Sequence, residues 1–267
     1  MKIKINAKEY ETSQKDLNGL KKELNVKNSD LLFFQGFSAD ENMVLSEGVS
    51  IVIVPKNEKV PQELLKEMIA ARNSPEVNEA LEKAHVGVAG LGGLGSTVAI
   101  ALARVGVARL TLIDFDTVDA SNLNRQQYFV EDIGRLKTEA LKDIIARINP
   151  FVEVFAVNER VTAQNASELF AECSLVAECF DNPQSKAVLI NNIGDKTVVA
   201  ASGMAGWGRN EAIRQRKVAR NLWVCGDLTS SAGVGNGLMA PRVGVCAAYQ
   251  ANLVLELLIT ENGKRNL

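Results

Sequence analysis

Apolar positions along the chain change their spacing between two and about 3.6 residues, and each change marks an element. Lys2 to Asn6 alternates charged and apolar residues as a half-buried strand does, and Glu9 to Thr12 reads as a second strand, returning through a turn near Ala7. Leu17, Leu20, Leu24 and Val26 mark a short amphipathic helix. Leu31 to Phe34 and Val49 to Val54 are further strands, with a turn at Glu47-Gly48. Residues 57–84 carry a linker and then helical pattern: Val60-Pro61-Gln62-Glu63 opens a helix whose spacing is set by Leu64, Leu65, Met68 and Ile69.

From residue 85 the pattern switches between short apolar runs and helical stretches. Val86 to Ala89, Arg109 to Ile113, Val152 to Val157, Leu175 to Cys179 and Thr197 to Ala201 read as strands. Thr97 to Val105, Lys137 to Ile148, Asn165 to Ala171 and Ser185 to Ile193 read as helices. A last helix, about Val243 to Ile259, is apolar on nearly all sides and so largely buried. Strands alternating with helices predict a Rossmann-like, mostly parallel α/β sheet with helices on both faces, over residues 85–267. Residues 127–136 read as a loop, and residues 202–241, rich in glycine and short polar residues, as a long irregular stretch. The order strand, strand, helix, strands over residues 1–56 is compatible with a separate small β-grasp (ubiquitin-like) domain.

The candidate chemistry centres on residues 85–126. Gly90-x-Gly92-x-x-Gly95, with Gly93 between, follows an apolar run and opens a helix; the next strand ends in Asp114, about 20 residues beyond Gly95. Gly90 allows a tight turn, Gly92 lets backbone approach a phosphate, and Gly95 lets the helix pack close to the strand. The helix N-terminus offers free N–H groups to an anion, and a carboxylate at the end of the next strand can accept from ribose hydroxyls. This much leaves NAD, FAD and ATP open. Ser121-Asn122-Leu123-Asn124-Arg125-Gln126 then crowds donors beside that carboxylate, which a triphosphate needs and a dehydrogenase does not.

The glycine turn, Asp114-Phe115-Asp116 and the Ser-Asn-Leu-Asn-Arg-Gln block together resemble the ThiF/MoeB/HesA family, bacterial relatives of the ubiquitin-activating enzymes, over about residues 70–260. The short ThiF-like proteins of thiamine biosynthesis are the most similar in layout. The resemblance implies ATP-dependent adenylation of the C-terminal glycine of a ThiS-like sulfur carrier, with release of pyrophosphate and later attack by a sulfur donor. It implies that Asp114 holds the ribose, with Asp116 in the same motif. It also implies that Asn122, Arg125, Gln126 and Lys137 hold phosphates and that Asp181 binds Mg²⁺. A lysine opening a helix works against the dipole, which makes sense at Lys137 if it faces a phosphate. Asp181 ends a parallel strand, where ligands bind in such sheets; it also reads as a helix N-cap. The resemblance further implies a homodimer in which Arg72, from the helical arm, reaches the other subunit's nucleotide, and a crossover loop in 202–241 over the carrier tail. Cys225 lies there and reads either as a sulfur-transfer cysteine or as a buried strand end. Residues 1–56 resemble ThiS through pattern, but Ile51-Val52-Ile53-Val54-Pro55-Lys56 carries no Gly-Gly tail, so this fused domain is not expected to be a substrate.

Composition narrows the alternatives. In 267 residues, 30 basic side chains against 32 acidic ones argue against a general nucleic-acid surface. No apolar run reads as long and uninterrupted enough to cross a bilayer, and the N-terminus lacks a signal-peptide core, so a cytoplasmic protein is expected. The four cysteines form no C-x-x-C pair, so the structural zinc of many family members is not expected. His85, the only histidine, opens the central strand and reads as structural. Two other functions stay in view: an NAD(P)-dependent oxidoreductase, which shares the glycine fingerprint, and a non-catalytic nucleotide-binding regulator of a sulfur carrier.

Overall fold

The computed structural model describes residues 1–40, 42–56 and 59–262. The chain divides into two compact units, Met1–Glu79 and Ala80–Leu267. The domain boundary read from the sequence between residues 56 and 57 abuts residues 57 and 58, which lie outside the described residues.

The first unit runs β1 (Lys2–Ile5), β2 (Lys8–Glu11), α1 (Leu17–Glu23), β3 (Leu31–Phe34), β4 (Phe37–Ser38), β5 (Ser50–Val54), α2 (Gln62–Ile69) and the start of α3 (Pro75–Lys83). Its sheet has the order β2-β1-β5-β3-β4, with β5 central and parallel to β1, the β-grasp arrangement. Asp16 caps α1 by accepting from the Gly19 N–H at 2.8 Å. The helix lays Leu17 and Leu20 against Ile3, Leu45, Val49 and Ile51 of the sheet side. The two-residue β4 is too short to show a period and was not expected from the sequence.

The second unit runs β6 (His85–Ala89), α4 (Gly93–Val105), β7 (Arg109–Ile113), α5 (Lys137–Ile148), β8 (Glu153–Val157), α6 (Ala166–Leu169), β9 (Leu175–Glu178), α7 (Pro183–Asn192), β10 (Thr197–Ala201), β11 (Arg214–Ala219), β12 (Leu222–Gly226) and α8 (Ala240–Asn262). The seven strands lie in the order β11-β12-β10-β9-β6-β7-β8, all parallel except for the antiparallel edge strand β11. The chain walks outward from β6 to β8 and returns to β9 on the other side of β6. The order therefore reverses between β6 and β9, where open α/β sheets bind ligands. Residues of α6 and α7 pack with Ile113, Val176 and Val198 on one face. The α4 and α8 helices pack on each other and on the sheet.

Three expectations change. The stretch 202–241 is not irregular throughout, because β11 and β12 form a hairpin within it. The β11 sequence Arg-Gln-Arg-Lys-Val-Ala is an exposed edge, so no apolar alternation marked it. The helix read at 165–171 closes to the four residues of α6. Against the reading that no run could cross a bilayer, Ala240–Thr260 of α8 is long and apolar enough by length and composition. Here α8 is a core helix: Val243, Cys246, Leu253, Val254 and Leu258 are buried, and the buried Gln250 amide donates to the Glu178 and Val199 carbonyls at 2.9 and 2.7 Å.

His85 is buried at the start of β6, bonded through Nε2 to Thr111 Oγ1 at 2.8 Å, and burial holds its pKa below the ordinary value. It is a structural histidine.

Candidate active site

The carboxyl ends of β6 to β10 open on a crevice of about 550 Å³. Gly90 follows β6 with φ +87°, a left-handed conformation that side chains rarely adopt. A Cβ on Gly95 would overlap the Gly90 carbonyl oxygen, so the helix can approach the strand only without one. At Gly92 φ is an ordinary −72° and a Cβ would meet only Gln126 Nε2, at 3.8 Å; what glycine provides there is space. No side chain caps the N-terminus of α4, so its first N–H groups remain for an anion.

Around this turn the crevice gathers Gly90, Gly92, Gly93, Asp114, Asp116, Arg125, Gln126, Lys137 and Asp181. Asp114 is buried, and its carboxylate accepts from the Leu91 N–H at 2.6 Å and the Asp116 N–H at 2.9 Å. Each oxygen keeps a second lone pair for a ribose hydroxyl. Gln126 is 8% exposed and its Oε1 has no partner among the described residues. That oxygen is shielded from solvent, while Nε2 lies on the side of Gly92. Lys137 is buried at the start of α5 and pairs with Asp116 Oδ2 at 2.9 Å, which offsets the lysine's unfavourable position on the helix dipole.

Asp181 is exposed beyond the end of β9. It is not the N-cap of α7; Asn182 is, accepting from the Ser185 N–H at 2.8 Å, with Pro183 in the first turn. The Asp181 carboxylate is thus relieved of any capping duty. One carboxylate oxygen beside phosphate oxygens and waters is how Mg²⁺ is commonly held, and Asp181 fits that role. Among the described residues no three or more His, Cys, Asp or Glu side chains group as metal ligands.

Other expected site residues stand elsewhere. Gly95 lies behind the turn. Asn122 does not line the crevice; its Oδ1 accepts from the Asp119 N–H at 3.2 Å, closing a capping box on a single 3-10 turn. Arg72 belongs to the first unit, where its guanidinium stacks 4.7 Å from the centre of the Phe33 ring.

Sequence reasoning missed two ion pairs. Glu178, the last residue of β9, is fully buried and receives the Lys186 ammonium at 2.9 and 3.0 Å. Lys186 Nζ also donates to the Ala201 carbonyl at 2.9 Å, which engages all three of its hydrogens and ties the ends of β9 and β10 under the crevice. A glutamate inside an apolar strand run was the signal, since such a charge needs a partner. Asp227 and Arg242, both almost fully buried, pair at 2.6 Å; Arg242 also donates to the Gly208 carbonyl, and Asp227 accepts from the Thr229 and Ser230 N–H groups. They bind the loops after β10 and β12 to the start of α8. Burial would raise the Asp227 pKa, but the Ser230, Thr229 and Arg242 bonds outweigh it and hold the carboxyl below its usual range.

The ThiF family model matches residues 65–267, three quarters of the chain and the whole crevice. The chain belongs to the ThiF family. A ThiS-like ubiquitin model matches residues 1–57, the part that holds β1 to β5. Molybdopterin-synthase adenylyltransferase of Salmonella typhimurium is 36% identical over 197 residues, covering 68% of this chain and 76% of that protein. The Escherichia coli protein of the same name is 32% identical over 194 residues, 67% and 75% of the two chains. The crystal structure of E. coli tRNA N6-threonylcarbamoyladenosine dehydratase in complex with ATP superposes with a TM-score of 0.69 at 21% identity. It covers 78% of this chain and 100% of that one, a likeness of fold.

Within this ThiF-family chain Cys225 is fully buried in β12, and burial pushes its thiol up to about 12. A thiol so placed carries almost no thiolate at neutral pH. Cys225→Ala is therefore expected to leave carrier-dependent turnover within about twofold of wild type; a loss of sulfur transfer with adenylation intact would reverse this assignment.

Proposed function

We propose that the chain uses ATP to adenylate the C-terminal glycine of a separate ThiS-like sulfur-carrier protein, releasing pyrophosphate. The observation that carries this reading is the crevice itself. An uncapped helix N-terminus, a side-chain amide and two cations surround one end, and a carboxylate free of structural duty stands at the other. An oxidoreductase gives Arg125, Lys137 and Asp181 no shared task. The Salmonella typhimurium and Escherichia coli relatives are named adenylyltransferases, and this supports the same chemistry.

Asp114 binds the ribose in this scheme. Arg125, Gln126, Lys137 and the first N–H groups of α4 hold the phosphates, helped across a homodimer by Arg72. Asp181 is the residue that would hold Mg²⁺, which supplies charge neutralisation when bound. The carrier's carboxylate attacks the α-phosphorus, a P–O bond forms, and pyrophosphate leaves with its electron pair. A glycine carboxylate is ionised at neutral pH and needs no general base. Catalysis is then positioning and charge stabilisation. The acyl adenylate is open to a sulfur donor.

The narrower proposal is that the carrier serves thiazole formation in thiamine biosynthesis, which the ThiS-like N-terminal unit supports. A molybdopterin-type carrier is the second reading, favoured by the 36% identity to molybdopterin-synthase adenylyltransferase. ATP–pyrophosphate exchange with purified carriers of each type, both ending in Gly-Gly, separates them. Exchange that depends on one carrier assigns the pathway. ATP binding without exchange under either carrier would sink the catalytic reading in favour of a regulator.

A further inference from the structure

We propose that Tyr128 is a positioning residue that aims the Gly92 N–H at a ligand phosphate; the inference rests on the nucleotide reading above. Leu91, between Gly90 and Gly92, is held by a side chain at both of its backbone polar groups. Its N–H donates to Asp114 Oδ2 at 2.6 Å, and its carbonyl accepts from the Tyr128 hydroxyl at 2.9 Å. Tyr128 is 6% exposed, and burial followed by the nearby Asp114, Asp132 and Asp116 carboxylates pushes its pKa well above the ordinary value, so the hydroxyl keeps its proton.

The direction follows from peptide geometry. In a planar trans unit the carbonyl of one residue and the N–H of the next point in opposite directions. Fixing the Leu91 carbonyl toward Tyr128 turns the Gly92 N–H away from it. Gly92 lines the crevice, and among the described residues no group accepts from its N–H. A donor held in advance at an anion's place needs no rearrangement when the anion arrives.

Tyr128 also couples the two halves of the anion site. It lies two residues after Gln126, on the segment that carries Arg125. That segment is pinned to α4 by Gln127, whose N–H donates to Ser96 Oγ at 3.2 Å and whose side-chain amide donates to Thr97 Oγ1 at 3.2 Å. The hydroxyl therefore fixes the glycine turn and the Arg125–Gln126 wall in one register. Gln126 lines the same crevice, with its Nε2 on the Gly92 side.

The test separates phosphate from nucleoside. Calorimetric titration with ATP, AMP and adenosine is run on the wild-type chain and on Tyr128→Phe, which keeps the ring and loses the donor. ATP and AMP affinities are expected to fall about five- to tenfold, the worth of one aligned hydrogen bond, with adenosine unchanged. A uniform loss across all three ligands, or none, overturns the positioning role. A wild-type chain that binds adenosine but gains nothing from phosphate overturns it as well. A wild type that binds none of the three ligands overturns the nucleotide reading beneath it. The wild type also answers without any variant. The Gly92 amide resonance is expected to shift with AMP and to stay in place with adenosine, and the reverse pattern rejects the proposal.

Discussion

Replacing Asp181 by alanine is expected to cut carrier-dependent ATP–pyrophosphate exchange by about a hundredfold or more, the scale seen when a preorganised charge stabiliser is removed. It is expected to leave the melting temperature nearly unchanged. The two halves of this expectation come from one local fact. Asn182, not Asp181, caps α7, and Asp181 is exposed, accepting one hydrogen bond from the Asn182 side-chain amide at 3.3 Å. Truncating it breaks no buried contact. Asn182→Ala gives the opposite pattern: it removes the cap, costs about 1 kcal/mol and lowers the melting temperature by a few degrees. Measured side by side, the pair distinguishes a metal-holding carboxylate from a helix stop. Full exchange activity in Asp181→Ala would remove the metal role.

Lys186→Met is expected to destabilise the chain by about 3–5 kcal/mol, because it leaves Glu178 buried without its counter-charge. Burial raises the Glu178 carboxyl above its ordinary 4.5, and the Lys186 charge and hydrogen bonds pull it back without cancelling that rise. The folded chain therefore favours the protonated carboxyl more than the unfolded chain does. That contribution is complete below the unfolded value and is lost as pH rises through the folded one. Without Lys186 the loss is larger, so the gap in melting temperature between variant and wild type should widen from about pH 5 to about pH 8. Thermal scans across that range check the sign. A gap that narrows with rising pH would mean that Glu178 is not the group left unpaired by the change.

The parallel core was legible because strands buried on both faces are written as short apolar runs, as in β6, β7, β9 and β10. The glycine turn was legible because its steric demands admit few residues: Gly90 needs a positive φ and Gly95 needs the absence of a Cβ. The edge hairpin was not, since an exposed strand such as β11 needs no apolar period. Side-chain partnerships across elements were the least visible. Lys186 meets Glu178 from the next helix, Asp227 meets Arg242 across a loop, and Tyr128 meets Leu91 from 37 positions away. The sequence offered each residue type but not the meeting. The same limit explains Asn122. Its residue type suits phosphate, while the structure gives it a turn to close.

The central strand β5 of the first unit runs to Val54 and continues as Pro55 and Lys56. In a sulfur carrier the chain ends as a free acid; here the same place is an amide bond. An amide oxygen is a poor nucleophile toward phosphorus, so the enzyme cannot consume its own ThiS-like unit as fuel. Every polypeptide made thus stays a catalyst rather than becoming a product. Under the proposed function the ratio of enzyme to carrier is left to the supply of a separate carrier, and ATP is not drained into self-modification when that supply runs out.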